Sequence, residues 1–438
     1  KLTFTIPISR RGVCCCHGEP KDKSKDQPKS EVPMRYKTLG WIVVGAFIAL
    51  LALPFVLLAA DQAWIGVKRA DIDTPTLPSQ VAVTGVAATE ETKGGKNLWF
   101  QSHSDGTYES ELKDGYYSSP LVRVGSDEFL YADDEQLVFA QNLRGGEERR
   151  LQPGYKLGYM ISGITSDSGE HALVMSNLSW NDPTPRENGT FVYTLTDGER
   201  EKSILLDYEA FSSVVTDDGQ ALIVTPDDNF LGFCVTTFSY EEEKNTECLE
   251  PLVGKYLNDP IVDVIDGSAK LFSEWITDEQ SKGWVLYEQT DRGWELVNEQ
   301  QATEETSPGK RLESERSFTK EGKVYWFTEE PGLSSFAFPT REDSELEIHH
   351  DSLADVMDGE LMSFTVDGDI IHCVSARKDQ GEDAQFVSSF NLKDLAKHTG
   401  PWLIPRTFET RGIFDVPRPI TVIYFTDDAT LQQLGVTR

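Results

Sequence analysis

Residues 164–176 read ITSDSGEHALVMS, and residues 214–226 read VVTDDGQALIVTP. In each, apolar residues lead into a tight Asp/Gly turn, and an almost wholly apolar strand follows. Residues 264–274 (VIDGSAKLFSE), 317–329 (SFTKEGKVYWFTE) and 363–375 (SFTVDGDIIHCVS) repeat the pattern. Counted from Ser166, Asp217, Asp266, Lys320 and Asp367, the steps are 51, 49, 54 and 47 residues. A fainter copy, VRVGSDEFLYADD at 122–134, begins 41 residues before the first, Gly125 to Ser166. Asp-Gly tolerates positive φ and closes hairpins whose twist matches the flanking strands. A strand apolar at consecutive positions is buried on both faces.

Further strands follow each turn, as in GTFVYTLTDGEREKSILL (189–206) and GWVLYEQTDRGWELVN (283–298). A unit of about four strands repeated at near 49 residues is one blade of a β-propeller. An ordinary β-sandwich has turns every 8–12 residues but no such longer period. The expected fold is therefore all-β: a propeller of about seven blades, within a range of six to eight, over residues 97–438. Only SLADVMDGEL (352–361) and NLKDLAKH (391–398) read as helical, and both are short.

The turn-and-strand units, DDGQALIV and DSGEHALV above all, resemble the blades of the TolB-type, WD40-like propeller family. The His and Trp-Asp signatures of true WD40 repeats are absent. An anchor followed by a propeller is also similar to the layout of membrane-bound dipeptidyl peptidases. Those carry a hydrolase domain with G-x-S-x-G, which this sequence lacks.

Upstream lies a different chemistry. Residues 39–60, LGWIVVGAFIALLALPFVLLAA, carry no charge. As a helix, 22 residues at 1.5 Å each reach about 33 Å, enough for a bilayer core of about 30 Å. The run exceeds a signal-peptide core and lacks a clean small-x-small cleavage site. It is read as one transmembrane helix, with Gly40, Gly45 and Ala46 as small residues for helix packing. Residues 1–38 form a basic, Cys-containing tail, mostly disordered, and 61–96 form a stalk. Residues 1–60 hold nine Lys/Arg against four Asp/Glu, whereas the remainder holds 32 against 69. The positive-inside rule puts the N-terminus in the cytoplasm and the large domain outside it, in a periplasm, a lumen or the exterior.

Composition excludes more than it assigns. The net charge of −32 repels phosphate backbones, so nucleic acid is not a partner. No Walker loop, H-E-x-x-H, G-x-G-x-x-G or EF-hand loop occurs, so no catalytic residue, cofactor or metal site is assigned. His349 and His350 are adjacent in EIHHD and would point to opposite faces of a strand. Asp-rich segments at 133–135, 227–229 and 427–428 read as solvated turn tips. Cys234 and Cys248 flank YEEEKN and face each other if that segment is a hairpin turn, which makes them candidates for a disulfide. Cys373 is left over as a small buried residue. Cys14, Cys15 and Cys16 are candidates for S-acylation, with free thiols as the alternative. Asn177 and Asn188 head N-x-S/T sequons. The expected function is a tethered interaction or scaffold protein, an accessory subunit whose partners are other membrane or envelope proteins and the bilayer. The alternative is a hydrolase or lyase using the propeller's central funnel, which a set of His, Arg and carboxylates converging at the axis would favour.

Overall fold

The computed structural model describes the backbone over most of residues 85–425; within that span the longest stretches not described are 303–315 and 405–419. The chain divides into two compact units, Lys1–Ala60 and Asp61–Arg438. Residues 39–60, with Gly40, Gly45 and Ala46, lie outside the described residues, as do Cys14, Cys15, Cys16 and Asn188. Among the described residues no helix is long and apolar enough to cross a membrane.

The described strands form seven four-stranded antiparallel sheets. Blade 1 spans 122–151, blade 2 157–206, blade 3 212–248, blade 4 256–301, blade 5 317–352 and blade 6 360–404. In each, the strands pair in chain order, and we letter them a to d. Blades 2 to 6 are the five whose side chains are described most fully. The remaining sheet joins distant parts of the chain: Ile420–Phe425 pairs with Gly85–Thr89, which pairs with Lys96–Ser102 and then Tyr108–Asp114. A strand inside the segment read as stalk therefore belongs to the propeller.

The doubly buried strand of the sequence reading is strand b. In blade 2 it is Ala172–Leu178, buried at every position but Asn177. Because successive residues face opposite ways, Ala172 and Val174 pack towards blade 1 while Leu173 and Met175 pack towards blade 3. Blade 3 repeats this with Ala221 and Ile223 towards blade 2 and Leu222 and Val224 towards blade 4. The core is thus a series of apolar seams between neighbouring blades. Aromatic rings widen the later ones: Phe272 of blade 4 stacks on Trp284 and meets Phe336 of blade 5 at 4.9 Å.

The a–b turns come in several forms. In blade 4, Asp266 (φ 53°) and Gly267 (φ 76°) make the two-residue turn between the paired Ile265 and Ser268, the expected primed geometry. In blade 3 the loop has three residues, with Thr216 N–H bonded to Gln220 O and Gly219 N–H to Thr216 O. Glycine has a second use at Gly283, which pairs with Trp275. A Cβ there would lie 2.2 Å from the indole, so the ring can cross the strand only over a bare backbone.

Both helical expectations are overturned. Residues 352–361 hold a single turn, with Val356 and Met357 N–H bonded to Leu353 O, between two strands. Residues 391–398 are a hairpin turn and the start of strand Asp394–Ile404. Their spacing suits a helix, but the flanking strands capture the backbone groups first.

Cys234 and Cys248 stand opposite each other in strands c and d of blade 3 and form a disulfide. Cys373 is fully buried, and burial raises its thiol pKa strongly.

Two outcomes follow. Phe272→Ala should cost about 3–5 kcal/mol, the usual range for emptying a large aromatic site, read as a lower denaturation midpoint. Alkylation of protein unfolded without reductant should label Cys373 and leave Cys234 and Cys248 unlabelled; labelling of all three would show the disulfide absent.

Candidate functional site

Strands alternate in direction, so the a–b and c–d turns lie at one end of the disc and the b–c and d–a connections at the other. First strands of successive blades contact one another, as in blades 1 to 2, 3 to 4 and 4 to 5. At the a–b end the turns converge, and charged side chains meet across the ring.

Arg123, in strand a of blade 1, donates from Nη1 to Asp367 Oδ2 of blade 6 at 2.5 Å. Lys320 closes strand a of blade 5, and its Nζ reaches Asp167 Oδ1 of blade 2 at 2.8 Å. Blades 2 and 5 are three apart, so this contact crosses the interior of the ring. Both cations are buried. Neighbours are also linked directly: Gly125 N–H to Gly169 O at 2.8 Å, and Ser168 N–H to Asp217 Oδ1 at 2.8 Å. His171 Nε2 lies 3.1 Å from Asp217 O, and Val262 N–H donates to Ser212 Oγ at 3.2 Å.

Protonation follows the partners. Burial pushes the Asp367 carboxyl up, but the His372 hydrogen bond and the Arg123 guanidinium outweigh it and hold its pKa below the usual carboxylate range. The Ser168 N–H does the same for Asp217, against burial and helped by the Ser168 and Ser166 hydroxyls and Lys320. Asp263, in strand a of blade 4, goes the other way. Burial and the nearby Asp167 push its pKa up to about 6, although the N–H groups of Val264 and Gly322 and the Lys320 charge oppose this.

Behind Asp367 stands a polar line within blade 6. His372 Nε2 is 3.6 Å from Asp367 Oδ2, and its Nδ1 is 2.7 Å from Ser389 Oγ. Ser, His and Asp in a row are the elements of an activated nucleophile. Here Ser389 and His372 are both fully enclosed, so no substrate reaches the hydroxyl. The line is an enclosed core network.

An open cleft of about 690 Å³ lies between blades 1 and 2 at the same end, lined by Glu128, Arg149, Glu170, His171, Asp197 and Arg200 among others. Its charges are mixed. Arg200 is bound to Asp197 at 2.7 Å and lies 4.2 Å over the Tyr240 ring.

Apart from Cys234 and Cys248, the described residues singled out in the sequence are not brought together. His349 and His350 lie on an exposed edge strand, where His350 Nδ1 meets Ser334 Oγ at 2.6 Å and His349 Nε2 is 3.9 Å from Glu347. Among the described residues no group of three His, Cys, Asp or Glu could hold a metal. Asp227 caps its own loop through the N–H groups of Asn229 and Leu231. Asn177 lies half-buried in strand b of blade 2. Sequence reasoning used Asp217, Lys320 and Asp367 only to mark turns and passed over Arg123, Asp263 and His372. One signal was available: Lys320 is a cation where the other counted copies have Asp or Ser.

Comparison with known proteins assigns no family. No family model matches, and no curated protein matches. Solved structures do. A puromycin hydrolase mutant complexed with PGG is 15% identical with TM-score 0.42, covering 77% of this chain and 57% of its own. The β-propeller domain of the Trilobed protease from Pyrococcus furiosus is 14% identical with TM-score 0.39, covering 72% and 97%. A quinonprotein alcohol dehydrogenase-like protein from Bacteroides thetaiotaomicron is 8% identical with TM-score 0.40, covering 79% of each. The chain spans a little over half of the puromycin hydrolase structure. The fold is that of a β-propeller; the TolB-type likeness remains one of repeats.

The axial charges set two expectations. Arg123→Ala should destabilise by about 3–5 kcal/mol, because it strands a carboxylate below an otherwise paired buried end; a double-mutant cycle with Asp367→Asn should show coupling. Asp263 has a raised folded pKa, so its contribution is fully present below its unfolded pKa and is lost as pH rises through about 6. Asp263→Asn should therefore gain up to about 2–3 kcal/mol above pH 7 relative to pH 4, measured by denaturant titration at both pH values.

Proposed function

We propose that this chain is a membrane-tethered β-propeller acting as an interaction or accessory subunit of a larger membrane or envelope assembly. The observation that carries this reading is the pairing of the axial charges. A set of Arg, Lys, His and carboxylates does converge at the axis, the pattern named above as favouring an enzyme. Its cations, however, are bound to carboxylates of other blades: Arg123 to Asp367 and Lys320 to Asp167. A group that braces the ring is not available to polarise a substrate. Catalysis needs charges preorganised towards a reacting atom, and here they are aimed at one another.

Tethering rests on residues 39–60 and on the charge excess before them, with the N-terminus cytoplasmic and the propeller on the other side. Loops at the ends of a rigid disc are where binding residues collect. The alternative, a hydrolase or lyase working in the central funnel, would need the His372 and Arg123 surroundings to open.

Native mass measurement after gentle extraction should give a complex heavier than the 49.0 kDa chain by a stoichiometric partner. A lone chain that turns over a small substrate would overturn the proposal. Protease outside intact cells should degrade the propeller and spare the N-terminal tail; a protected propeller would reverse the orientation.

A further inference from the structure

Among the described residues, six large apolar side chains are exposed: Phe211, Leu231, Val253, Tyr256, Leu296 and Met362. Four of them share one place. Phe211 ends the connection from blade 2 to blade 3, Leu231 sits in the b–c loop of blade 3, and Val253 lies in the connection from blade 3 to blade 4. Tyr256 opens strand a of blade 4. All four positions are at the end of the disc opposite the axial charges. Val253 is 99% exposed and Leu231 51%.

The patch is held from beneath. The Cys234–Cys248 disulfide joins strands c and d where they meet these loops. Leu249 N–H bonds to Phe233 O at 2.8 Å, and the Phe211 ring meets Phe233 edge-on at 5.7 Å. Such bracing lowers the ordering cost of docking a partner.

The rim is predominantly acidic, with exposed Lys282 at its border. The four segments that supply the patch and its border are 207–211 (DYEAF), 227–232 (DDNFLG), 249–256 (LEPLVGKY) and 277–281 (TDEQS). They contain seven carboxylates and a single Lys. Asp207, Glu209, Asp228, Glu250, Asp278 and Glu279 are exposed. The Lys, Lys255, is turned inwards over the Trp275 ring at 3.8 Å and bound to Glu299.

Resting on the accessory-subunit reading, we propose that this face docks a basic amphipathic segment of a partner protein, with apolar residues seated on Phe211, Leu231, Val253 and Tyr256 and Lys/Arg against the acidic rim. Exposed apolar surface favours burial, and the acidic excess of the rim disfavours acidic partners while steering basic ones.

The test uses the full chain and a synthetic Leu/Lys amphipathic helical peptide, followed by fluorescence anisotropy, with a Leu/Glu peptide of the same pattern as control. The Leu/Lys peptide should bind and the Leu/Glu peptide should not. A Leu231→Ser/Val253→Ser variant leaves the net charge unchanged and alters only exposed side chains. It should keep the thermal midpoint and weaken binding by about tenfold or more. Asp228→Lys/Glu250→Lys should weaken binding comparably, and Glu241→Lys/Glu243→Lys, at the opposite end, should do so far less. Unchanged affinity in the Ser variant, equal effects of the two charge variants, or binding of the Leu/Glu peptide would overturn the proposal. So would a patch that instead pairs two copies of this chain or binds anionic vesicles, with either property lost in the Ser variant. The two readings fail separately. If the native complex survives in the Ser variant, the docking site is wrong and the accessory-subunit reading stands. If extraction yields a lone chain, that reading fails, and the docking proposal resting on it falls with it.

Discussion

The structure depends on one constraint: the second strand of blades 2 to 6 is largely buried on both faces and mostly apolar. A sheet of that kind has no side to offer to water. Each blade must lie between two others, and a row of such blades exposes apolar surface at both ends unless it closes. Burial at roughly 25 cal/mol per Å² of apolar surface drives the stacking. Ring closure removes the free ends. The alternation of Leu173 and Leu222 against Ala172 and Ala221 shows how finely adjacent seams share one strand.

Closure is achieved by the chain's distant parts. Ile420–Phe425 supplies the first strand of the closing sheet, beside Gly85–Thr89 and against the first strand of blade 6, so the last sheet is complete only when both distant segments are in place. Polar links across the ring complement this. Arg123–Asp367 reaches past the closing sheet from blade 1 to blade 6, and Lys320–Asp167 spans the interior. Such contacts add little as surface pairs, but Arg123 and Lys320 are themselves buried, so an arrangement that separates them from their carboxylates leaves a buried cation unpaired. They fix blade order where apolar contact alone tolerates sliding.

The two ends of the disc consequently differ. One is braced across the axis by its own charges. The other carries apolar side chains within an acidic border, above a disulfide. The same negative charge that keeps a large domain soluble becomes, at that end, a frame around exposed Val253 and Leu231. The proposed docking face lies on the second end.

By itself the sequence determined the all-β class, the repeat and its length, the turn positions and the burial of the strand after each turn. Those depend on local pattern: two-residue side-chain alternation and Asp/Gly chemistry leave a mark within a dozen residues. It also placed Cys234 opposite Cys248, because a short hairpin fixes register. It misread 352–361 and 391–398, whose apolar spacing suits a helix but whose backbone groups are taken by neighbouring strands. It did not reveal that Gly85–Thr89 and Ile420–Phe425 share a sheet, nor that Arg123, Lys320 and Asp367 end in ion pairs. Only the tertiary structure decided these, because residues 153 and 244 positions apart become neighbours through ring closure, and no local signal records which turn will face which across an axis.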